Sequence, residues 1–193
     1  MGQPIAIPTR RQLIKSSGLS VAAFGLLMGS SKLAMAASKA PSEGDIAILN
    51  VALGLEHEAI AAYQIGAESG LLKGGVLDVA VLFQSHHKAH REAQIATIEH
   101  LGGKPVAAKT MDEYMKSSKL NVAAIKTDKD VLKLAQRLEL GAVNAYIGVM
   151  PSFADRELSK VAARLLADET MHYTALTQAL SEPLPKPGLS FGA

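Results

Sequence analysis

Between Leu49 and Tyr63 the chain reads Leu-Asn-Val-Ala-Leu-Gly-Leu-Glu-His-Glu-Ala-Ile-Ala-Ala-Tyr. Steps of three and four, which trace one face of an α-helix, pick out Leu49, Ala52, Leu53, Glu56, Ala59, Ile60 and Tyr63. Glu56 is a single carboxylate in a stripe that is otherwise apolar or aromatic. A carboxylate facing a core is costly unless it is paired or bound to a cation. The stretch therefore predicts a core helix and asks what partner Glu56 meets.

The same pattern returns as Leu132, Ala135, Glu139, Ala142, Val143 and Tyr146, again with a Tyr two helical turns after the Glu. Two further stripes carry polar pairs. One reads Ala80, Phe83, His87, His90, Gln94, Ile98. The other reads Leu158, Val161, Ala162, Leu165, Leu166, Glu169, His172, Leu176. Glu56 to Glu139 and His90 to His172 are spaced almost alike, by 83 and 82 residues, so the chain reads as two related hairpins. Within each hairpin the polar residues fall at similar distances from the turn. Glu56, His87, His90, Glu139, Glu169 and His172 are thus expected at one depth, and carboxylate oxygen with imidazole nitrogen suits iron, manganese or zinc.

Helix punctuation supplies the topology. A first helix is expected from Ser42, where Ser42-x-x-Asp45 follows Pro41 as a capping box, to Leu72. Gly74-Gly75 forms a turn, and a second helix runs from Val76 to Leu101, closed by Gly102-Gly103. Residues 104–127 form a long connection with a short helix over Met111–Ser117. A third helix spans Asp128–Met150 and a fourth Asp155–Leu180, before an extended tail from Pro183. Alternation is absent, so no sheet is expected. Short turns join antiparallel neighbours, and only the middle connection is long enough to climb back along the bundle. The fold class is all-α: an antiparallel four-helix bundle with one long crossover between its second and third helices.

With these motifs the sequence resembles the ferritin-like superfamily, and in particular its rubrerythrin-like and exported members, over residues 42–182. The best stretches are Leu55-Glu56 to Tyr63, Leu138-Glu139 to Tyr146, and Asp168-Glu169-Thr170-Met171-His172. The resemblance implies a di-iron or di-manganese centre held by one Glu from each of two helices and a Glu-x-x-His from each of the others. Carried over, the ligands are Glu56, Glu139, Glu169, His172 and His90. Glu56 and Glu139 would be terminal carboxylates, Glu169 a bridge, and the two histidines terminal nitrogens. Position 87 departs from the pattern with His where Glu is expected. Two divalent ions would then meet three carboxylates instead of four, which implies a weaker second site or a single ion.

Other readings stand beside these. The six polar groups could pair among themselves without metal. Tyr63, Tyr146 and Tyr173 read as core packing, and His57, Glu58, His86 and Glu92 as solvated neighbours of the stripe. His100 carries no signal. The lysine-rich run from Lys104 to Lys129 reads as a solvated crossover, and the tail either lies along the bundle or serves a partner.

Composition bounds the function. Of 193 residues, 48% are hydrophobic and 20% charged, as in a globular protein. There is no Cys, which excludes disulfides, thiolate catalysis and Cys-ligated metals, so a redox centre would draw electrons from an unknown donor. The net charge of +2 comes from the first 36 residues, which hold four bases and no acid; setting them aside leaves 16 basic residues against 18 acidic ones. With aromatics at only 4%, no nucleic-acid partner is expected.

Those 36 residues resemble a twin-arginine export signal: Thr9-Arg10-Arg11-Gln12-Leu13-Ile14-Lys15, an apolar stretch from Leu19 to Met28, and Ala34-Met35-Ala36 for cleavage. The apolar stretch is too short to cross a bilayer, and charges are expected to interrupt every later window, so no stable membrane anchor is expected. The chain divides into a leader over 1–36, a bundle over 37–182 and a tail over 183–193, with a periplasmic or otherwise exported location. A homodimer is compatible with the bundle, though no exposed stripe demands one. The expected function is a bundle binding two metal ions, most simply iron, that react with dioxygen or peroxide. Metal buffering without turnover and a metal-free structural bundle are the alternatives.

Overall fold

The computed structural model describes residues 43–192. The export leader and Ser42 of the predicted capping box lie outside them. Helices α1 (Glu43–Glu68), α2 (Gly74–His100), α3 (Met111–Met115), α4 (Asp128–Val149) and α5 (Arg156–Ala179) follow in order, with single 3-10 turns at Val122–Ala124 and Met150–Ser152. No strand occurs among the described residues. The pairs α1–α2 and α4–α5 form antiparallel hairpins, α1 packs on α4, and the chain between α2 and α4 is the long crossover. The expected bundle and connectivity are present.

Local chemistry explains the boundaries. The first helix stops at Glu68 and not at Leu72, because the Ser69 hydroxyl donates to the Gly66 carbonyl at 2.6 Å and accepts from the Leu71 amide at 3.1 Å. The chain then turns Leu72 into the core, at 3% exposure. This moves the start of α2 forward to Gly74. The end of α2 is a Schellman motif. Gly102, at φ +79°, donates to Glu99 O at 2.9 Å and Gly103 to Ile98 O at 2.8 Å. Thr127 and Asp130 make a capping box at the start of α4, and the Asp155 carboxylate caps α5 through the Glu157 amide at 2.8 Å.

Two expectations need correction. The crossover is not merely solvated. Its lysines face water, but Tyr114 and Leu120 are buried against Ala61, Ala62, Ile65 and Leu134. Charges also do not interrupt every apolar window after the leader. Helix α1 meets the length and composition of a membrane span, yet half of that stretch is buried inside the bundle, as in the core helix of a soluble domain. The tail lies along the bundle: Phe191 packs edge-on against Tyr173 at 5.5 Å, and the Gly192 amide donates to Asn144 Oδ1 at 2.7 Å.

The apolar core has two ends. Tyr63, Phe83, Leu132 and Leu176 lie in one, while Leu49, Leu53, Ile98 and Leu158 lie in the other. The polar stripe residues sit between them.

Candidate metal centre

The structure brings all six residues of the predicted set together in that middle layer. Glu56 comes from α1, His87 and His90 from α2, Glu139 from α4, and Glu169 and His172 from α5, and none is more than 6% exposed. They form two overlapping groups of ligand-type atoms. One contains Glu56, His87, His90 and Glu169; the other contains His87, Glu139, Glu169 and His172. Glu169 divides its oxygens between them. Its Oε1 lies 3.2 Å from His90 Nδ1, and its Oε2 lies 3.2 Å from His172 Nδ1. The His87 ring spans the gap, with Nδ1 2.9 Å from Glu56 Oε2 and Nε2 3.1 Å from Glu139 Oε1.

A second layer holds these groups in place, and it follows the internal repeat. The Tyr63 hydroxyl of the first hairpin donates to Glu139 Oε1 of the second. The Tyr146 hydroxyl of the second donates to Glu56 Oε1 of the first, at 2.6 Å. His90 Nε2 lies 3.1 Å from Asp168 Oδ2, and His172 Nε2 lies 2.9 Å from His86 Nδ1. Asp168 and His86 each immediately precede the centre residue of their own hairpin, Glu169 and His87. Each braces the histidine of the other hairpin. Gln94 adds bonds to Tyr146 at 2.8 Å and to Glu56 at 3.3 Å.

These supporting residues are what periodicity missed or misjudged. His86 is half-buried against His172, not simply solvated. His57 is buried too, with Nε2 3.1 Å from the Val106 carbonyl of the crossover. Glu58 pairs with Lys119 at 2.9 Å on the wall of a cavity that reaches the centre, and Glu92 pairs with Arg91 at 2.5 Å on the exposed surface. Tyr63 and Tyr146 are core residues as expected, but their hydroxyls are also bound to carboxylates. The repeat itself was the signal for His86, since it occupies the position of Asp168.

A profile of the ferritin-like domain matches residues 44–182. The chain belongs to the ferritin-like domain family. Its fold is similar to that of a conserved hypothetical protein from Mycobacterium tuberculosis, known from a crystal structure. The two are 23% identical, with a TM-score of 0.63, covering 76% of this chain and 99% of that one. No curated protein matches the sequence.

The donor set of this ferritin-like domain fits divalent metal. Three buried atoms aimed into the cluster lack hydrogen bonds: His90 Nδ1, Glu139 Oε2 and Glu169 Oε1. With its Nε2 proton held by Asp168, His90 would turn a lone pair on Nδ1 to the centre once a metal ion displaces the second proton. His86 can accept the Nε2 proton of His172 in the same way, leaving His172 Nδ1 towards Glu139 and Glu169. An orphaned buried nitrogen beside two orphaned carboxylate oxygens is expensive in the absence of a cation.

Without metal, the groups must neutralise one another. Burial works against charge at Glu56, but the hydrogen bond from His87 and the nearby His90 imidazole outweigh it and hold the carboxyl down at about 2. Burial likewise opposes a charged His87, which hydrogen bonds to Glu139 and Glu56 push up to about 10. His90 is driven up to about 12 against its own burial by Asp168, Glu169 and Glu56. Glu169 goes the other way, raised by burial and by the charge of Glu139 despite the neighbouring imidazoles of His172 and His90.

A cavity of about 220 Å³ reaches Glu56, His87, Glu139 and Glu169 from the side, between α1 and α4. Ala59, Gly141, Ala142 and Ala145 leave it open, and Lys119 and Arg137 also line it. Small molecules therefore have a route to the middle layer that avoids both apolar ends.

Proposed function

We propose that this ferritin-like domain holds two divalent metal ions, most simply iron, and acts outside the cytoplasm as a protein of residues 37–193. The observation that carries the reading is Glu169, which offers one oxygen to each of two four-residue groups while His90 Nδ1 and Glu139 Oε2 stand buried without hydrogen bonds beside them. Glu56, His87 and His90 would hold one ion, and Glu139 and His172 the other, with Glu169 shared. When bound, ferrous ions supply the electrons with which dioxygen or peroxide is reduced.

The chain contributes the surroundings. Asp168 and His86 fix the histidine rings by holding their outer nitrogens, Tyr63 and Tyr146 fix the terminal carboxylates, and the lateral cavity admits a small oxidant. With no Cys in the chain, return of electrons requires a separate donor. The twin-arginine-like leader supports export of the already folded, loaded protein.

The test is metal content per chain after anaerobic loading of residues 37–193 with ferrous ion and desalting. Two irons per chain in the wild type and fewer in Glu139→Ala support the centre; rapid oxidation by added peroxide then separates turnover from buffering. Folded protein that retains no iron, manganese or zinc would sink the reading. A metal-free bundle is favoured by one observation, the saturation of Glu56, whose oxygens already meet Tyr146, Gln94 and His87.

A further inference from the structure

The apolar end of the bundle beyond Tyr63 and Phe83 is not filled. A cavity of about 170 Å³ lies there, bounded by α1, α2, α4 and α5. It owes its space to small side chains, among them Ala62, Ala80, Ala135, Ala175 and Ala179. Tyr63 is the one lining residue with a polar side-chain atom, and that hydroxyl is committed to Glu139. Water has nothing to bond to in such a space, whereas apolar voids of about 150 Å³ take up a benzene-sized molecule.

The opposite end of the bundle shows that this space is not imposed by the repeat. One turn beyond His90 stands Gln94, which bonds to Tyr146 and Glu56. One turn beyond His172 stands Leu176, which lines the cavity and leaves Tyr63 without a matching amide. The cavity also shares a wall with the polar cluster. Phe83 stacks on the His172 ring at 4.1 Å between centroids, and the Tyr63 ring lies 5.4 Å from that of His87. At the α2 side, Val76 and Val79 line the cavity yet are each 40% exposed, so the opening itself is apolar.

We propose that this cavity is a binding site for a small uncharged apolar molecule, or for the apolar end of a chain-like one, seated against Tyr63 and Phe83. Such a ligand would cover the exposed valines, fill the space against carbon on every side, and rest one ring away from His172 and His87. The site is distinct from the metal centre: none of Glu56, His87, His90, Glu139, Glu169 and His172 lines it. The lateral opening between α1 and α4 is a separate route, so an apolar molecule and a small oxidant need not compete for entry.

The test measures binding of toluene, n-hexane and decanoate to the metal-free chain by calorimetry and by ligand-observed NMR. Ala135→Leu and Ala80→Leu, from opposite walls, fill the cavity, and thermal melting and helicity report whether each still folds. Expected are saturable binding of toluene or hexane to the wild type, and affinity at least about tenfold weaker in whichever filled variant remains folded. Decanoate binding as well would identify a chain end with its head group outside past Val76 and Val79; binding of the neutral probes alone would identify a free apolar molecule. Asp168→Asn, whose side chain does not line the cavity, should bind toluene like the wild type while holding metal more weakly, which separates this proposal from the metal centre. No saturable binding of any probe, or binding unchanged in folded filled variants, overturns it.

Discussion

Tyr146 donates its hydroxyl hydrogen to Glu56 Oε1 over 2.6 Å, joining the two hairpins through the middle of the bundle. Tyr63 does the same in the opposite sense for Glu139. Tyr146→Phe leaves Glu56 Oε1 with the longer Gln94 bond alone. The loss of a charge-assisted bond at a buried carboxylate costs about 1–3 kcal/mol. Urea denaturation of the metal-free protein should show that loss, and an unchanged midpoint would show that Tyr146 is only packing.

The stability of the metal-free protein should fall on both sides of a narrow pH window. Glu56 is depressed from 4.5 to about 2, so its contribution is complete above 4.5 and is lost as pH falls towards 2. His87 is raised from 6.5 to about 10 and His90 from 6.5 to about 12, so their contribution is complete below 6.5 and is lost as pH rises towards those values. Denaturation midpoints should therefore peak between pH 4.5 and 6.5 and decline by pH 9. Metal loading should reverse the alkaline limb, because metal needs imidazoles free of the second proton. A flat profile for the metal-free form between pH 6.5 and 9 would contradict this account.

Asp168 is half-exposed and offers no ligand to either group, yet it holds His90 at 3.1 Å. Asp168→Asn keeps the shape and weakens the acceptor. By analogy with outer-shell partners of metal-bound histidines, metal affinity should fall by about 10–100-fold while the fold is retained. Competition against a chelator reads this directly, with circular dichroism as the control.

His87→Glu should move stability and metal affinity in opposite directions. A fourth carboxylate replaces the group that spans Glu56 and Glu139, so the metal-free variant should melt below the wild type. The same carboxylate adds a charge and a second oxygen for an ion, so the second step of a ferrous titration should tighten. If both steps match the wild type, His87 lies outside the coordination of either ion.

Far from the centre, α5 ends in a Schellman motif in which Ser181 takes φ +56°. A serine there carries left-handed strain that glycine does not. Ser181→Gly should stabilise the protein by about 0.5–1 kcal/mol, readable as a raised melting temperature with metal content unchanged.

Much of this architecture was legible because polar residues interrupt apolar stripes. Glu56, Glu139, Glu169 and the three histidines announce one depth in the bundle, and the repeat announces that two hairpins share it. The turn at 69–73 was less legible, since Ser69 ends α1 through a side-chain bond that composition cannot reveal. His57 was misjudged because the face it occupies is covered by the crossover, and periodicity within one helix says nothing about what another segment lays over it. His86 is a different case: helical phase points it away from the stripe, but the ring is long enough to reach His172 across the α2–α5 gap.

The repeat is also unequal in sign. The first hairpin brings Glu56, His86, His87 and His90 to the middle layer, whereas the second brings Glu139, Asp168, Glu169 and His172. One half is rich in bases and the other in acids, so the halves complement each other and each is a poor match for its own copy. Two chains exchanging like hairpins would set imidazole against imidazole, or carboxylate against carboxylate. Position 87 thus does more than alter a ligand set: it makes the correct pairing of halves within one chain an electrostatic preference.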